Sequence, residues 1–229
     1  KQQLINYSSN LEIMVDEKTQ AVVELKNAVL ETMAELVEER DQTTGSHIDR
    51  TMRYLAALLD AMQERGIYEK ELAGYDRELI LRSSQLHDVG KISVRDSILL
   101  KPERLTNEEF EEIKNHTVFG EQVIDRIKTK TADSDFLEYA RIFAATHHER
   151  WDGGGYPKGL VGEEIPILGR IMAIADVYDA LVSERPYKKA FSHEQTVKII
   201  QEGRGIHFDP ILTDVFIDIN EIFEGISRA

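Results

Sequence analysis

Residues 10–40 contain no glycine and no proline. Along them Leu11, Val15, Val22, Leu25, Val29 and Leu36 recur at alternating steps of four and three, and Lys18 and Thr32 complete the series. Such spacing leaves an apolar seam on one side of a helix, so the chain is expected to carry a coiled-coil helix of roughly four heptads near its start. The polar Lys18 and Thr32 weaken the seam and favour one register or oligomer state. The seam fits a homodimerising helix that passes a signal from an upstream domain. The competing reading is an amphipathic helix lying on its own domain.

Further along, spacings of three and four continue to dominate, and neither strand pairs nor an internal repeat is visible, so the expected fold class is all-α. Asp41–Ser46 interrupts the first helix at Gly45. A second helix covers about His47–Arg65 with Gly66 past its end. Asp76 caps a third that ends near His87-Asp88. Residues 92–105 read as a loop. Thr106 and Glu109 form a capping box for a helix to about Lys128. After a polar break at 129–134, a helix is expected over 135–149 with His147-His148 on its last turn. A Gly- and Pro-rich loop follows at 151–166, then an apolar helix over 167–183. Ser192 with Gln195 forms a second capping box, and Pro210 suits the first turn of a last helix. The division expected is 1–40 for the coiled-coil signalling helix and 41–229 for the helical domain that follows it.

Composition narrows the chemistry. With no cysteine, any metal must be held by histidine and carboxylates. The net charge of −14 and the absence of a long Lys/Arg cluster argue against a nucleic-acid duplex as partner. The apolar stretch Ile167–Val182 is broken by Arg170, Asp176 and Asp179, so no membrane span is expected, and the reading is a cytoplasmic protein.

Histidine and aspartate then stand out. His47, His87, Asp88, His116, His147, His148 and Asp176 each fall at an expected helix end or face, the places from which ligands project into a bundle. A carboxylate has two oxygens, so Asp88 can reach two cations where an imidazole reaches one. With Asp88 used twice, seven side chains fill eight positions of two six-coordinate ions and leave room for a water and two substrate oxygens. Two divalent ions against two aspartates leave a net positive site that attracts phosphate. A donor set rich in imidazole favours Fe, with Mn, Co or Ni as alternatives, over Mg or Ca.

The motifs Thr44-Gly45-Ser46-His47, His87-Asp88-Val89-Gly90-Lys91, Asn115-His116, His147-His148 through Gly155-Tyr156-Pro157, and Ala175-Asp176-Val177-Tyr178-Asp179 together resemble the HD-GYP subgroup of HD-domain phosphohydrolases. The resemblance covers about residues 40–225. It implies an HD-domain-like helical bundle around a two-metal site, and metal-dependent hydrolysis of cyclic di-GMP. It assigns His47, His87, Asp88 and Asp176 to one metal, and Asp88, His116, His147 and His148 to the other. It places Lys91 with Asp88 at the scissile phosphate, and Tyr156, Asp179, Arg185 and Lys188 along the substrate. Some members add a third metal through a glutamate four residues before the first histidine. Thr43 stands there instead, so two metals and the linear product pGpG are expected rather than GMP. The alternatives are another cyclic dinucleotide or nucleotide phosphate as substrate, or a weakly active cyclic di-GMP receptor that works through its helix.

Other residues receive plainer readings. His193 is expected at the surface beside the Ser192 cap, and His207 in a structural hydrogen bond. Trp151 and Phe208 are expected in the core, Asp152 on the backbone of the Gly-rich turn, and Arg150 in a salt bridge or at the substrate.

Overall fold

The computed structural model describes residues 2–40, 47–131, 135–184 and 189–228. Ten α-helices are seen among them: α1 (Gln2–Arg40), α2 (His47–Arg65), α3 (Glu69–Leu72), α4 (Arg77–Ser84), α5 (Asp96–Leu99), α6 (Asn107–Lys128), α7 (Asp135–Thr146), α8 (Ile167–Val182), α9 (His193–Glu202) and α10 (Pro210–Ser227). Two 3-10 turns, Val89–Ser93 and Gly162–Glu164, lie between them. Among the described residues there is no strand, only the isolated bridges Asp152–Val161 and Arg204–Phe208, so the expected all-α class holds. Among the described residues, no helix is long and apolar enough to cross a membrane.

Helix ends follow local chemistry. The Asp76 side chain accepts from Leu79 N, and Thr106–Glu109 and Ser192–Gln195 each close a full capping box. Asp209 accepts from the amides of Ile211 and Leu212 ahead of Pro210. The same carboxylate takes Arg170 Nη1 at 3.0 Å and Tyr68 Oη at 2.8 Å, which pairs a buried arginine instead of leaving it unsatisfied. Three differences from the sequence reading stand out. Helix α1 starts earlier, at Gln2; the stretch read as a loop over 92–105 contains α5; and α7 stops at Thr146, so His147-His148 sits on the turn beyond it. The break at 41–46 lies outside the described residues.

The centre is α8, apolar on almost every side and enclosed by α2, α7, α9 and α10. Leu55, Leu58 and Met62 from α2 meet Leu168, Met172 and Ile174 from α8 and Leu212, Phe216 and Phe223 from α10. Tyr54 stacks on Phe223 at 4.6 Å and meets Tyr178 edge-on at 5.1 Å. A second cluster gathers Ile48, Leu86, Val89, Ile124, Leu137 and Ala144, and here the last third of α1 docks through Leu30 and Ala34. Each fully buried aliphatic side chain of this kind contributes about 1.5–3 kcal/mol. The seam residues lie on the other side of α1: Leu11, Val15, Val22, Leu25, Val29 and Leu36 are all exposed, Leu25 at 66%. One helix therefore carries both a docked face and an open face. His193 is half-buried rather than superficial, its ring joining Tyr178 Oη at 2.8 Å to Asn220 Oδ1 at 2.9 Å.

Candidate metal centre

His47 opens α2, His87 and Asp88 turn the chain out of α4, His116 sits midway along α6, His147-His148 follows α7, and Asp176 projects from α8. These elements converge at one end of the bundle and form two groups. His47, His87 and Asp176 make one, and Asp88, His116, His147 and His148 the other, with ligand atoms within 4.8 Å of one another in each. Asp88 lies between them. Its Oδ2 is 3.3 Å from His87 Nε2, while its Oδ1 is 3.3 Å from His116 Nε2 and 3.6 Å from His147 Nε2. One carboxylate thus turns one oxygen toward each group.

The imidazoles are locked from behind. Nδ1–H of His87 donates to Ser84 O at 2.9 Å, that of His116 to Ile113 O at 2.6 Å, and that of His147 to Phe143 O at 2.8 Å. A carbonyl only accepts, so each proton is held on Nδ1 and each Nε2 lone pair faces inward, the tautomer a metal needs. His47 uses a carboxylate for the same purpose: its Nδ1 is 2.7 Å from Asp179 Oδ2. Arg50 then grips Asp179 through two nitrogens at 2.6 and 2.8 Å.

The electrostatics agree. Burial pushes Asp88 upward, but Lys91, His87 and the neighbouring imidazoles outweigh it and hold the carboxyl well below its ordinary range. Burial lowers His147 and His148, the latter helped by repulsion from His147 and His116, so both stay neutral. Neutral imidazole and ionised carboxylate are the forms that bind cations. Two atoms aimed into the site, His87 Nε2 and Asp88 Oδ1, are buried and make no hydrogen bond. Buried polar atoms left so are rare and costly, and a bound cation would satisfy both. The residues present fit a pair of divalent ions.

Lys91 leaves the Val89–Ser93 turn with Nζ 2.8 Å from Asp88 Oδ2. Gly90 lets that turn lie on α6, because a Cβ there would fall on the His116 carbonyl. Gly155 plays a similar part, with no room for a Cβ against the backbone of Glu149 and Arg150. At Gly155 the Gly-rich loop thus lies directly on its own chain. Buried Glu149 secures this loop by accepting from the amides of Lys158 and Leu160. Asp152 accepts from Gly154 N and pairs with Arg150, as expected for a turn. Phe208 is buried and Trp151 only partly so. Tyr156 stands over the site, its ring 4.8 Å from His148.

Asp179 was expected along the substrate. It is 1% exposed, and both its oxygens are used by His47 and Arg50, which places it behind His47. Arg185, Lys188 and Thr43 lie outside the described residues. Sequence reasoning missed Arg50, whose signal was its place one turn after His47 on the same helix face. It also missed Glu38, a buried α1 carboxylate that shares a small gap with His47, His87 and Lys91 and is held above its ordinary range by burial. No motif marks Glu38, since only folding brings α1 there.

With the geometry in place, comparison with known proteins is direct. Residues 28–212 match the HD domain. The chain belongs to the HD-domain family. A cyclic di-GMP phosphodiesterase of Vibrio cholerae serotype O1 is 45% identical over 88% of this chain and 41% of its own length. A cyclic di-GMP phosphodiesterase response regulator of Xanthomonas campestris is 38% identical over 86% of this chain and 53% of its own. A 3'3'-cGAMP-specific phosphodiesterase of V. cholerae is 37% identical over 91% and 37%. The chain thus spans about half the length of these relatives or less. The crystal structure of a cyclic GMP-AMP specific phosphodiesterase from V. cholerae has the same fold, with a TM-score of 0.53 at 20% identity over 86% of this chain and 50% of that one. The HD-GYP motifs therefore sit within an HD-domain fold and among phosphodiesterase relatives.

Proposed function

We propose that this HD-domain chain is a metal-dependent phosphodiesterase that hydrolyses cyclic di-GMP to linear pGpG. The observation that carries the reading is Asp88, one oxygen toward each group of imidazoles. His47, His87, Asp88 and Asp176 would hold one cation, and Asp88, His116, His147 and His148 the other. Their imidazole-rich set suits iron first, then Mn, Co or Ni. When bound, two such ions supply an activated water and neutralise phosphate charge.

The chain's own residues do the rest. Imidazoles locked through Nδ1 need no reorganisation when charge develops, which is where preorganised sites gain most. Lys91, now paired with Asp88, brings Nζ to the negative charge that grows on the phosphoryl oxygens during displacement. Tyr156 roofs the second group and limits how the diester can lie. Arg185 and Lys188 are proposed to grip the substrate. Thr43 is a poor ligand, which supports two metals and a halt at pGpG. The open seam of α1 supports a homodimer that passes a signal from an upstream receiver or sensor domain.

The test is metal analysis on anaerobically prepared protein, followed by product identification with cyclic di-GMP. Two ions per chain and pGpG are expected. Persistence of both metal content and turnover in Asp88→Ala overturns the site. The cGAMP-specific relatives motivate a second reading in which 3'3'-cGAMP is preferred, and a side-by-side kcat/KM comparison decides between the two.

A further inference from the structure

Beside the metal centre lies a hollow of about 360 Å³ that no expected site residue except Lys91 touches. We propose that it is a nucleobase subsite, taking the guanine of the nucleoside next to the scissile phosphate. The proposal rests on the reading of the centre as a cyclic dinucleotide site and names where one base of that substrate lies.

Two separate connections join the hollow to the centre. Lys91 belongs to both, as part of the wall of the hollow and through Nζ on Asp88. Phe110 forms another part of the wall and meets the Tyr156 ring edge-on at 6.4 Å, while Tyr156 lies over His148. Lys114 Nζ spans both aromatic rings, 5.0 Å from Phe110 and 5.6 Å from Tyr156. An aromatic wall under a cation therefore runs from the metal ligands into the hollow.

The chemistry of the wall suits a purine. A base needs a flat apolar face to stack on, and Phe110 leaves 46% of its surface open. Ile98 and Ile113 line the same space and keep it apolar. A guanine edge needs donors aimed at O6 and N7, the pattern an arginine fork matches. Arg104 and Asn107 stand exposed at the rim. Lys101 is already committed to Glu109 at 2.6 Å, so Arg104 is the wall's arginine available for the edge. In a chain of net charge −14, an anionic dinucleotide needs local cations to approach. The wall of the hollow carries Lys91 and Arg104, besides the paired Lys101, against one carboxylate, Glu103.

The test uses the metal-loaded whole chain and two diesters, cyclic di-GMP and methyl p-nitrophenyl phosphate, which has no purine. Phe110→Ala and Arg104→Gln are each expected to lower the ratio of kcat/KM for cyclic di-GMP to that for the small diester about tenfold, mainly through KM, in line with the cost of removing one stacking partner. Phe110→Tyr keeps a ring and should keep the ratio, which guards against a folding defect in Phe110→Ala. A ratio that stays constant in both variants, whether both substrates slow together or neither does, overturns the subsite. Wild-type protein that cleaves the small diester but no cyclic dinucleotide overturns the substrate reading instead, and the subsite with it.

Discussion

Asp88 and Asp179 are both low-pKa aspartates at one end of the same bundle, yet their surroundings give them different work. Asp88 turns one oxygen toward each side of the site, Oδ1 without a hydrogen bond and Oδ2 paired with Lys91, whereas Asp179 uses both oxygens on His47 and Arg50. Asp179→Asn is therefore expected to weaken metal retention by about 10–100-fold, the usual cost of losing a carboxylate behind a ligating histidine. Metal analysis after dialysis against a graded chelator measures this, and full retention of both ions would contradict the role. His207 carries a separate consequence. Burial, then Arg150, lowers its imidazole to about 4 from an ordinary 6.5. Between those values the unfolded chain binds the extra proton, so stability rises with pH across the window and falls as acid is added. His207→Gln should flatten the Tm profile between about pH 4 and 6.5. An unchanged slope there would place the acid sensitivity elsewhere.

At the scale of elements, the end of α1 and the Val89–Ser93 turn act together. Arg40 donates to the carbonyls of Ile92 at 2.9 Å and Val94 at 2.7 Å, and to Asp96 Oδ1 at 2.6 Å. These groups follow Lys91 directly, so the last residue of the long helix holds the turn that presents the lysine. Removing it should leave the ligands in place and blur the position of Nζ, and small misplacements are costly in catalysis. Arg40→Ala is expected to lower kcat about tenfold with KM and metal content near wild type. Equal loss of metal would show a broader collapse. The other side of the turn has no slack. Gly90→Ala should destabilise by about 2–4 kcal/mol, since a methyl on a carbonyl forces the backbone apart. A thermal melt within a degree of wild type would contradict that packing.

For the molecule as a whole, the unusual feature is a helix with one docked face and one open face. The apolar seam of α1 runs past the region where Leu30 and Ala34 anchor it to the body, so a second copy can pair along the seam without displacing the domain. Leu25→Glu with Val29→Glu should convert a dimer to a monomer in sedimentation velocity while metal content stays constant. A wild-type monomer at high concentration would remove the dimer proposal. Because α1 also carries Glu38 and Arg40 to the edge of the metal centre, a change of register in such a pair has a short physical route to Lys91.

Much of this was legible beforehand. The helical class, the capping residues Asp76, Thr106 and Ser192, and the seven candidate ligands depend on spacing and side-chain chemistry, which a linear chain displays. Imidazoles and carboxylates can be counted without knowing where they point. What only the tertiary structure decided is which groups stand behind the ligands. The carbonyls that fix the tautomers of His87, His116 and His147 lie only three or four residues back, but the turn of Asp179 toward His47 and the arrival of Glu38 and Arg40 from a distant helix are long-range. They arise because α1, α2, α6, α7 and α8 pack in one arrangement, and no local pattern encodes a contact that exists only after distant segments have met.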